Sequence, residues 1–288
     1  MKVLWISDFN VGNNPGGSQR TDDHIIQEGI KLGHEIVGFN LESDEALLSD
    51  EYDLVVNGNL EHLSIKRPHV LPYILEHPNH IRYEHDANSY LTQDQRRELF
   101  GTAKKNFFLS KFHHETFFQL YGDIFHDVHI ITSPIDIDRF KIVNAVEDRE
   151  DKVLYLGYMH FLKGTHNFFT HVMRNPDTQF AMAAWGDKNL EHTAKRFKNI
   201  EWLGQVAYRE MPQLLNRFKT LYYHPAKFEP FCRSVGEALL CGMSLDVTDN
   251  IGAVHDFKAY GYDKLQEMCS QSKHRFWELA VQTEVVAQ

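Results

Sequence analysis

The chain has 288 residues, a formal net charge of −10 and an apolar fraction of 42%. That length admits two domains of ordinary size, and 20 phenylalanines allow substantial cores. The charge argues against a broad nucleic-acid surface, and no run of about eighteen apolar residues exists to cross a membrane.

The first expected element is a buried strand over 3–6, inside Met1-Lys-Val-Leu-Trp-Ile-Ser-Asp8. This start is too short and too soon acidic for a signal peptide. Three cysteines, Cys232, Cys241 and Cys269, form no CxxC pair. They predict reduced thiols and a cytoplasmic setting.

A loop from Asn10 to Arg20 follows the first strand and carries Gly16-Gly17. A glycine pair between strand and helix lets backbone approach a ligand, or simply makes a flexible connection. The loop is neither GxGxxG nor a Walker loop. A helix is expected over 22–32, where Ile25, Ile26 and Ile30 recur at helical spacing behind Asp22 and Asp23.

Strands are expected over 35–39, 54–56, 106–109 and 128–131. A strand-like segment also ends in Tyr83-Glu84-His85-Asp86. His85, beside an acid at a strand end, has the chemistry to orient a reacting sugar, although a lone histidine is more often structural. The basic pairs Lys66-Arg67, Arg96-Arg97 and Lys104-Lys105 have the charge to touch phosphates, but short basic pairs are usually solvated surface. The pairs His113-His114 and His77/His80 lack any ligand spacing. Asp136-Ile-Asp138 has the form of a DxD metal site, yet Ser133-Pro134 precedes it and aspartate favours turns. The turn reading is preferred, and no metal site is expected.

A charged, aperiodic stretch over 143–152 reads as a linker. A new strand over 153–156 follows, so the domain boundary is placed near 148. Strands over 179–183, 200–202, 220–224 and 244–247 alternate with helices such as 208–218, which implies parallel sheets. The predicted division is an N-terminal domain over 1–147, a C-terminal domain over 148–265 and a helical tail over 266–288 packing back across them.

Lys163, in Leu156-Gly157-Tyr158-Met-His160-Phe-Leu-Lys163-Gly164, lies between a strand and a helix. That is the sheet edge where such folds bind ligands, and a lysine there would neutralise a diphosphate. Glu229 and Glu237 stand in His224-Pro-Ala-Lys-Phe-Glu229-Pro-Phe-Cys-Arg-Ser-Val-Gly-Glu237-Ala-Leu-Leu-Cys-Gly242. A helix beginning near Phe231 to Ser234 would aim its first amides, including those near Phe231, Cys232 and Arg233, toward Glu229. Amides suit phosphate and the two carboxylates suit hydroxyls. A nucleotide sugar has both.

These pieces, in order, resemble the GT-B glycosyltransferases, specifically the retaining family of the GT4 type. The marks are Gly16-Gly17, Gly33-His34, Ser133-Pro-Ile-Asp136-Ile-Asp-Arg-Phe140, Gly157…Lys163-Gly164, Leu203-Gly204-Gln-Val206 and the E-x7-E element Glu229…Glu237. They span about residues 1 to 253. The resemblance implies an α/β, GT-B fold: two Rossmann-like, doubly wound parallel-sheet domains facing across a cleft. It implies transfer from a nucleotide-diphospho sugar, such as a UDP- or GDP-sugar, to an acceptor hydroxyl, with retention and with neither metal nor cofactor.

By the same resemblance, Glu229 contacts the donor sugar, Glu237 the ribose, Lys163 the diphosphate and Gly204 with Val206 the base. Gly16, Gly17 and the amides near Phe231, Cys232 and Arg233 would steady the departing charge. His85 would be the active-site histidine. The sequence departs from the family at Tyr158, where an arginine is usual; Arg233 or His160 would then supply the charge.

A carbohydrate or lipid-linked glycan is the favoured acceptor, with a modified DNA base behind it. The short length for this fold would suit a compact genome such as a phage's. The sequence leaves open a nucleotide-sugar hydrolase or epimerase, and a non-catalytic nucleotide-sugar or nucleic-acid-binding module.

Overall fold

The structure is a computed structural model that describes residues 1–12, 16–86 and 90–282. Residues 13–15 of the expected glycine loop, and 283–288 of the expected tail, lie outside the described residues. The chain divides into two compact units: Met1–Pro134 with Glu267–Gln288, and Ile135–Gln266.

Unit 1 runs β1 (Lys2–Ile6), α1 (Gly17–Lys31), β2 (Glu35–Phe39), β3 (Leu54–Asn57), α2 (Leu63–Lys66), α3 (Val70–Glu76), β4 (His80–Glu84), α4 (Gln93–Thr102), β5 (Lys105–Phe108), α5 (Lys111–Tyr121) and β6 (Val128–Ile130). Its strands form one parallel sheet in the order β2-β1-β3-β4-β5-β6. Every residue of β3, β4 and β5 is buried, as strands covered on both faces require. Helix starts use side-chain caps: Thr92 and Gln95 form a capping box at α4, and Ser110 caps α5. The strand order reverses between β1 and β3, the kind of point at whose carboxyl ends such sheets bind ligands.

Unit 2 runs β7 (Glu150–Met159), α6 (Thr165–Arg174), β8 (Phe180–Gly186), α7 (Lys188–Ala194), β9 (Ile200–Trp202), α8 (Met211–Arg217), β10 (Phe218–Tyr223), α9 (Arg233–Leu240), β11 (Ser244–Val247) and α10 (Gly252–Ala280). Its parallel sheet has the order β11-β10-β7-β8-β9. The reversal point here lies between β7 and β10. Tyr155, Met159, Phe168, Phe169, Val172 and Phe180 build the core under α6.

The unit boundary falls at Pro134/Ile135, ahead of the 147/148 division expected from composition. The stretch after Pro134 is charged but well partnered within unit 2. Asn216 Oδ1 accepts from Val143 N at 2.8 Å, and Asn216 Nδ2 donates to Lys141 O at 3.0 Å. Arg149 Nη2 donates to Cys241 O at 2.8 Å. Strand β7 begins at Glu150, inside the stretch read as a linker. Composition reports charge but not partners, which is why the linker reading placed the boundary late.

Helix α10 is interrupted at Gly261 (φ +79°). Its described last turns belong to unit 1. Trp277 Nε1 donates to Ile25 O at 2.7 Å, and the Phe276 ring meets those of Trp5, Tyr83 and Phe107. Phe276 and Trp277, within the described part of the expected tail, are thus part of the first unit's core.

Candidate active site

In unit 2 the loops after β7 and β10 meet at the reversal point. Gly164 (φ +78°) turns the first loop, and a Cβ there would collide with the His224 carbonyl. Only glycine permits both the backbone angle and the approach. Ala226 N donates to Leu162 O at 3.0 Å and Asn167 Nδ2 to His224 O at 3.0 Å, stitching the loops together.

The stitching brings Lys163 to Glu229. Lys163 Nζ lies 2.7 Å from Glu229 Oε1, which also accepts from the Tyr223 hydroxyl at 3.0 Å. The Glu229 backbone is clamped in turn: its N donates to Asn250 O at 2.8 Å, and its carbonyl accepts from Gly252 N at 2.9 Å. Burial pushes the Tyr223 phenol well above its ordinary value, with Cys232 and Glu229 adding to the effect. Tyr223 therefore stays a neutral donor to the carboxylate.

Helix α9 starts at Arg233, within the span expected from sequence, behind Cys232 held at φ +69°. A positive φ at a non-glycine residue is uncommon and gathers at functional turns. Burial pushes the Cys232 thiol up to about 12, so it carries no thiolate nucleophile. Phe231 is buried, with its ring against Gly236.

Arg233 and Glu237 form a second cluster with a residue the sequence reading missed. Arg233 Nε lies 3.3 Å from Glu237 Oε1, and Arg233 Nη2 donates to the Tyr208 hydroxyl at 2.9 Å. That hydroxyl donates to Glu237 Oε1 at 2.9 Å. Burial, then the Glu237 carboxylate, pushes Tyr208 up to about 12. Arg233 and Glu237 are both buried. The charge assigned from sequence to a diphosphate is here engaged by the carboxylate assigned to a ribose. No spacing pattern marks Tyr208, because it reaches Glu237 from another element.

Gly204 (φ +70°) turns the loop after β9, and Leu203 N donates to Met182 O in β8 at 3.0 Å. Val206 follows in that loop and is half-buried. His160 is exposed, and its Nδ1 accepts from Leu162 N at 3.2 Å. Asp136 Oδ1 accepts from Asp138 N at 3.1 Å, the geometry of a turn. Among the described residues no group of three or more His, Cys, Asp or Glu side chains is placed to hold a metal ion.

In unit 1 the loops after β1, β3 and β4 gather a different set. Gly16 precedes α1, and Gly17 opens it. His85 Nε2 stands 2.9 Å from Asp22 Oδ1, with both side chains almost fully buried. Gly58 lies against the pair, where a Cβ would be 3.5 Å from each. Asp22 was legible only as a helix-start acid.

Beneath this pair, Glu84 accepts from Arg82 Nη2 at 2.7 Å and from the His85 and Asp86 amides at 3.1 Å each. Burial alone would raise Glu84, but Arg82 and Arg96 outweigh it and hold the carboxyl at about 2. Burial pushes the nearby His113 down to about 3.

The basic pairs weighed as phosphate contacts are partly spent on the fold. Arg67 donates to Ser43 O and Leu41 O, Arg96 to Glu84 and Lys105 to Leu279 O.

Comparison with known proteins bears on the domain and the fold. Residues 136–264, almost the whole of unit 2, match the family model "Glycosyl transferases group 1". No curated protein sequence matches the chain. Among solved structures, Anabaena HepE in complex with UDP and glucose is similar at 15% identity and a TM-score of 0.65, over 96% of this chain and 95% of that one. Sucrose-phosphate synthase from Thermosynechococcus elongatus is similar at 12% identity and a TM-score of 0.73, over 97% and 98%. An alpha-glucosyltransferase in complex with UDP and a 13-mer DNA containing a HMU base is similar at 12% identity and a TM-score of 0.60, over 98% and 95%. The fold is GT-B. With the matched domain it supports an enzyme of the glycosyltransferase class.

Proposed function

We propose that the protein transfers a sugar from a nucleotide-diphospho sugar to an acceptor hydroxyl, with retention and without a metal or other cofactor. The observation that carries this reading is the Lys163–Glu229 contact of 2.7 Å at the reversal point of unit 2. It sets a cation suited to phosphate beside a carboxylate suited to sugar hydroxyls. The match over 136–264 and the UDP complexes of HepE and the alpha-glucosyltransferase support the donor class.

In this mechanism Glu229 holds the donor sugar, fixed by Tyr223 and by its clamped backbone. Breaking the sugar–phosphate bond leaves charge on the diphosphate. Lys163 and the first amides of α9 stabilise that charge. A fixed cation and backbone dipoles then do what a divalent ion would otherwise do. His85, the histidine proposed to steady the reacting sugar, is oriented by Asp22. The phosphate leaving from one face assists the hydroxyl arriving on the same face, which preserves the anomeric configuration. Glu237 takes the ribose, and the Gly204 to Val206 loop takes the base.

The acceptor we favour is a carbohydrate or a lipid-linked glycan. A second reading, a modified base in DNA, draws on the DNA complex of the similar alpha-glucosyltransferase. Net charge of −10 and the internal engagement of Arg67, Arg96 and Lys105 weigh against it.

The test is a thermal-shift screen with UDP-, GDP-, ADP- and TDP-sugars, followed by turnover with the donor that binds. Transfer to an added glycan supports the reading. Free sugar released at full rate without any acceptor makes the enzyme a hydrolase instead.

A further inference from the structure

Tyr158 and Trp185 are direct partners across β7 and β8, with ring centroids 6.2 Å apart. They are 47% and 38% exposed, although β7 and β8 are interior strands of the sheet. Tyr158 lies nearly parallel to His160, 21° between ring planes at 6.1 Å. Its ring sits over Gly186 (φ +130°), where a Cβ would come within 2.8 Å of it. Glycine at that position makes room for the tyrosine.

Tyr158, His160, Phe161, Gly186 and Asp187 wall a cavity of about 580 Å³, a size typical of small-molecule sites. The nearby charges are directed elsewhere. Lys163, on the same loop, is 2.7 Å from Glu229, and Asp187 Oδ1 accepts from Asn189 N at 2.7 Å to cap α7. The cavity thus offers ring faces and polar edges rather than a cation.

We propose that this cavity takes the nucleobase of the donor, with Tyr158 as the stacking platform and Trp185 flanking it. The proposal rests on the nucleotide-sugar reading above and adds aromatic side chains to the part of the donor that reading gave only to the Gly204 to Val206 loop. Strand β7 lies between β10, which leads to Glu229, and β8, which leads to Gly186. A donor with sugar and phosphates at the Glu229 side therefore carries its base along the sheet edge toward β8. The loop with Gly204 and Val206 leaves the sheet beside β8, through the Leu203–Met182 hydrogen bond. A base has two apolar π-faces, and stacking on aromatic side chains is tolerant of which base it is.

The test is calorimetric titration of the full chain with UDP, GDP and ADP, and with pyrophosphate as a base-free probe. Wild type, Tyr158→Ala and Tyr158→Phe are compared. Tyr158→Ala should weaken the tightest nucleotide by about tenfold or more. Pyrophosphate affinity should stay unchanged, and Tyr158→Phe should bind like wild type. As a second readout, the bound nucleotide should quench Trp185 fluorescence, a signal that disappears in Trp185→Phe. Equal nucleotide affinity in Tyr158→Ala and wild type overturns the proposal and leaves the donor reading standing. A Tyr158→Ala effect confined to acceptor KM also overturns it, by giving the cavity to the acceptor. Failure of wild type to bind any of the three nucleotides, or TDP, removes the donor reading and this proposal with it.

Discussion

Lys163→Ala separates the stability of unit 2 from its chemistry. The Lys163 side chain is 42% exposed and that of Glu229 14%. An ion pair with one partner this exposed contributes less than about 1 kcal/mol to folding, because solvent screens it. Glu229 also keeps the Tyr223 hydroxyl at 3.0 Å, so the variant does not strand a buried carboxylate. In the proposed mechanism the same lysine faces the charge that builds on the departing diphosphate in the transition state. Loss of one preorganised stabilising group of this kind costs about 10²–10³ in rate, or about 2.7–4 kcal/mol. The rate effect should therefore exceed the folding effect severalfold. The assay is initial-rate sugar transfer from the donor found by the screen, paired with a melting curve. A variant that melts like wild type and transfers like wild type would refute the assignment. Glu229→Gln keeps the shape of the side chain and removes its charge. A similar hundredfold loss is expected, and the double variant should lose less than the sum because the two groups act as a pair.

Other outcomes follow from the same geometry. Arg233→Ala leaves Glu237 buried without its cation and should cost about 3–5 kcal/mol in denaturant unfolding of unit 2; a cost under about 1 kcal/mol, as for an exposed pair, would contradict the buried cluster. Activity should survive exhaustive treatment with EDTA, and its abolition would return Asp136 and Asp138 to consideration. Asp22→Asn should lower transfer while leaving donor affinity in place, since Asp22 acts through His85. Acid should destabilise unit 1 in two stages. His113 is held down to about 3 and Glu84 to about 2, whereas the unfolded chain protonates these groups near ~6.5 and ~4.3. The unfolded state therefore binds more protons below each of those values. Stability falls from about pH 6.5 through His113, and from about pH 4.3 through Glu84 as well, at about 1.4 kcal/mol per pH unit for each group. His113→Gln should shrink the upper stage, to which His80, His114 and His34 of the same unit, all lowered by burial, also contribute, and an unchanged profile would remove His113 as a source.

Much of the fold was legible because strands here are short apolar runs between helices. Strands β2, β9 and β11 fall on their expected bounds, since each is a compact run with clear turn signals. Strand β4 was visible only at its end, because Arg82 and Glu84 interrupt the apolar pattern. Those charges are tolerated inside the sheet by pairing with each other at 2.7 Å. A hydropathy pattern cannot show such a pair before the fold brings it together. Strand β7 was read too short for a related reason: Glu150 and Lys152 look like linker residues until Arg217 and Glu201 partner them.

The candidate site divides along the same line. Lys163 and Glu229 are separated by 66 positions, and nothing local in either segment points to the other. What joins them is strand order, since β10 pairs with β7 and both loops leave the same edge. Residue type suggested what each side chain does, and topology decided which ones do it together. The same topology gives Arg233 its partners. Read along the chain it is a helix-start cation; folded, it is the buried partner of Glu237 and Tyr208. The arginine missing at Tyr158 then need not be replaced by another cation near the diphosphate. Lys163 and the α9 amides carry that charge in the proposed mechanism, which leaves Tyr158 available for the base.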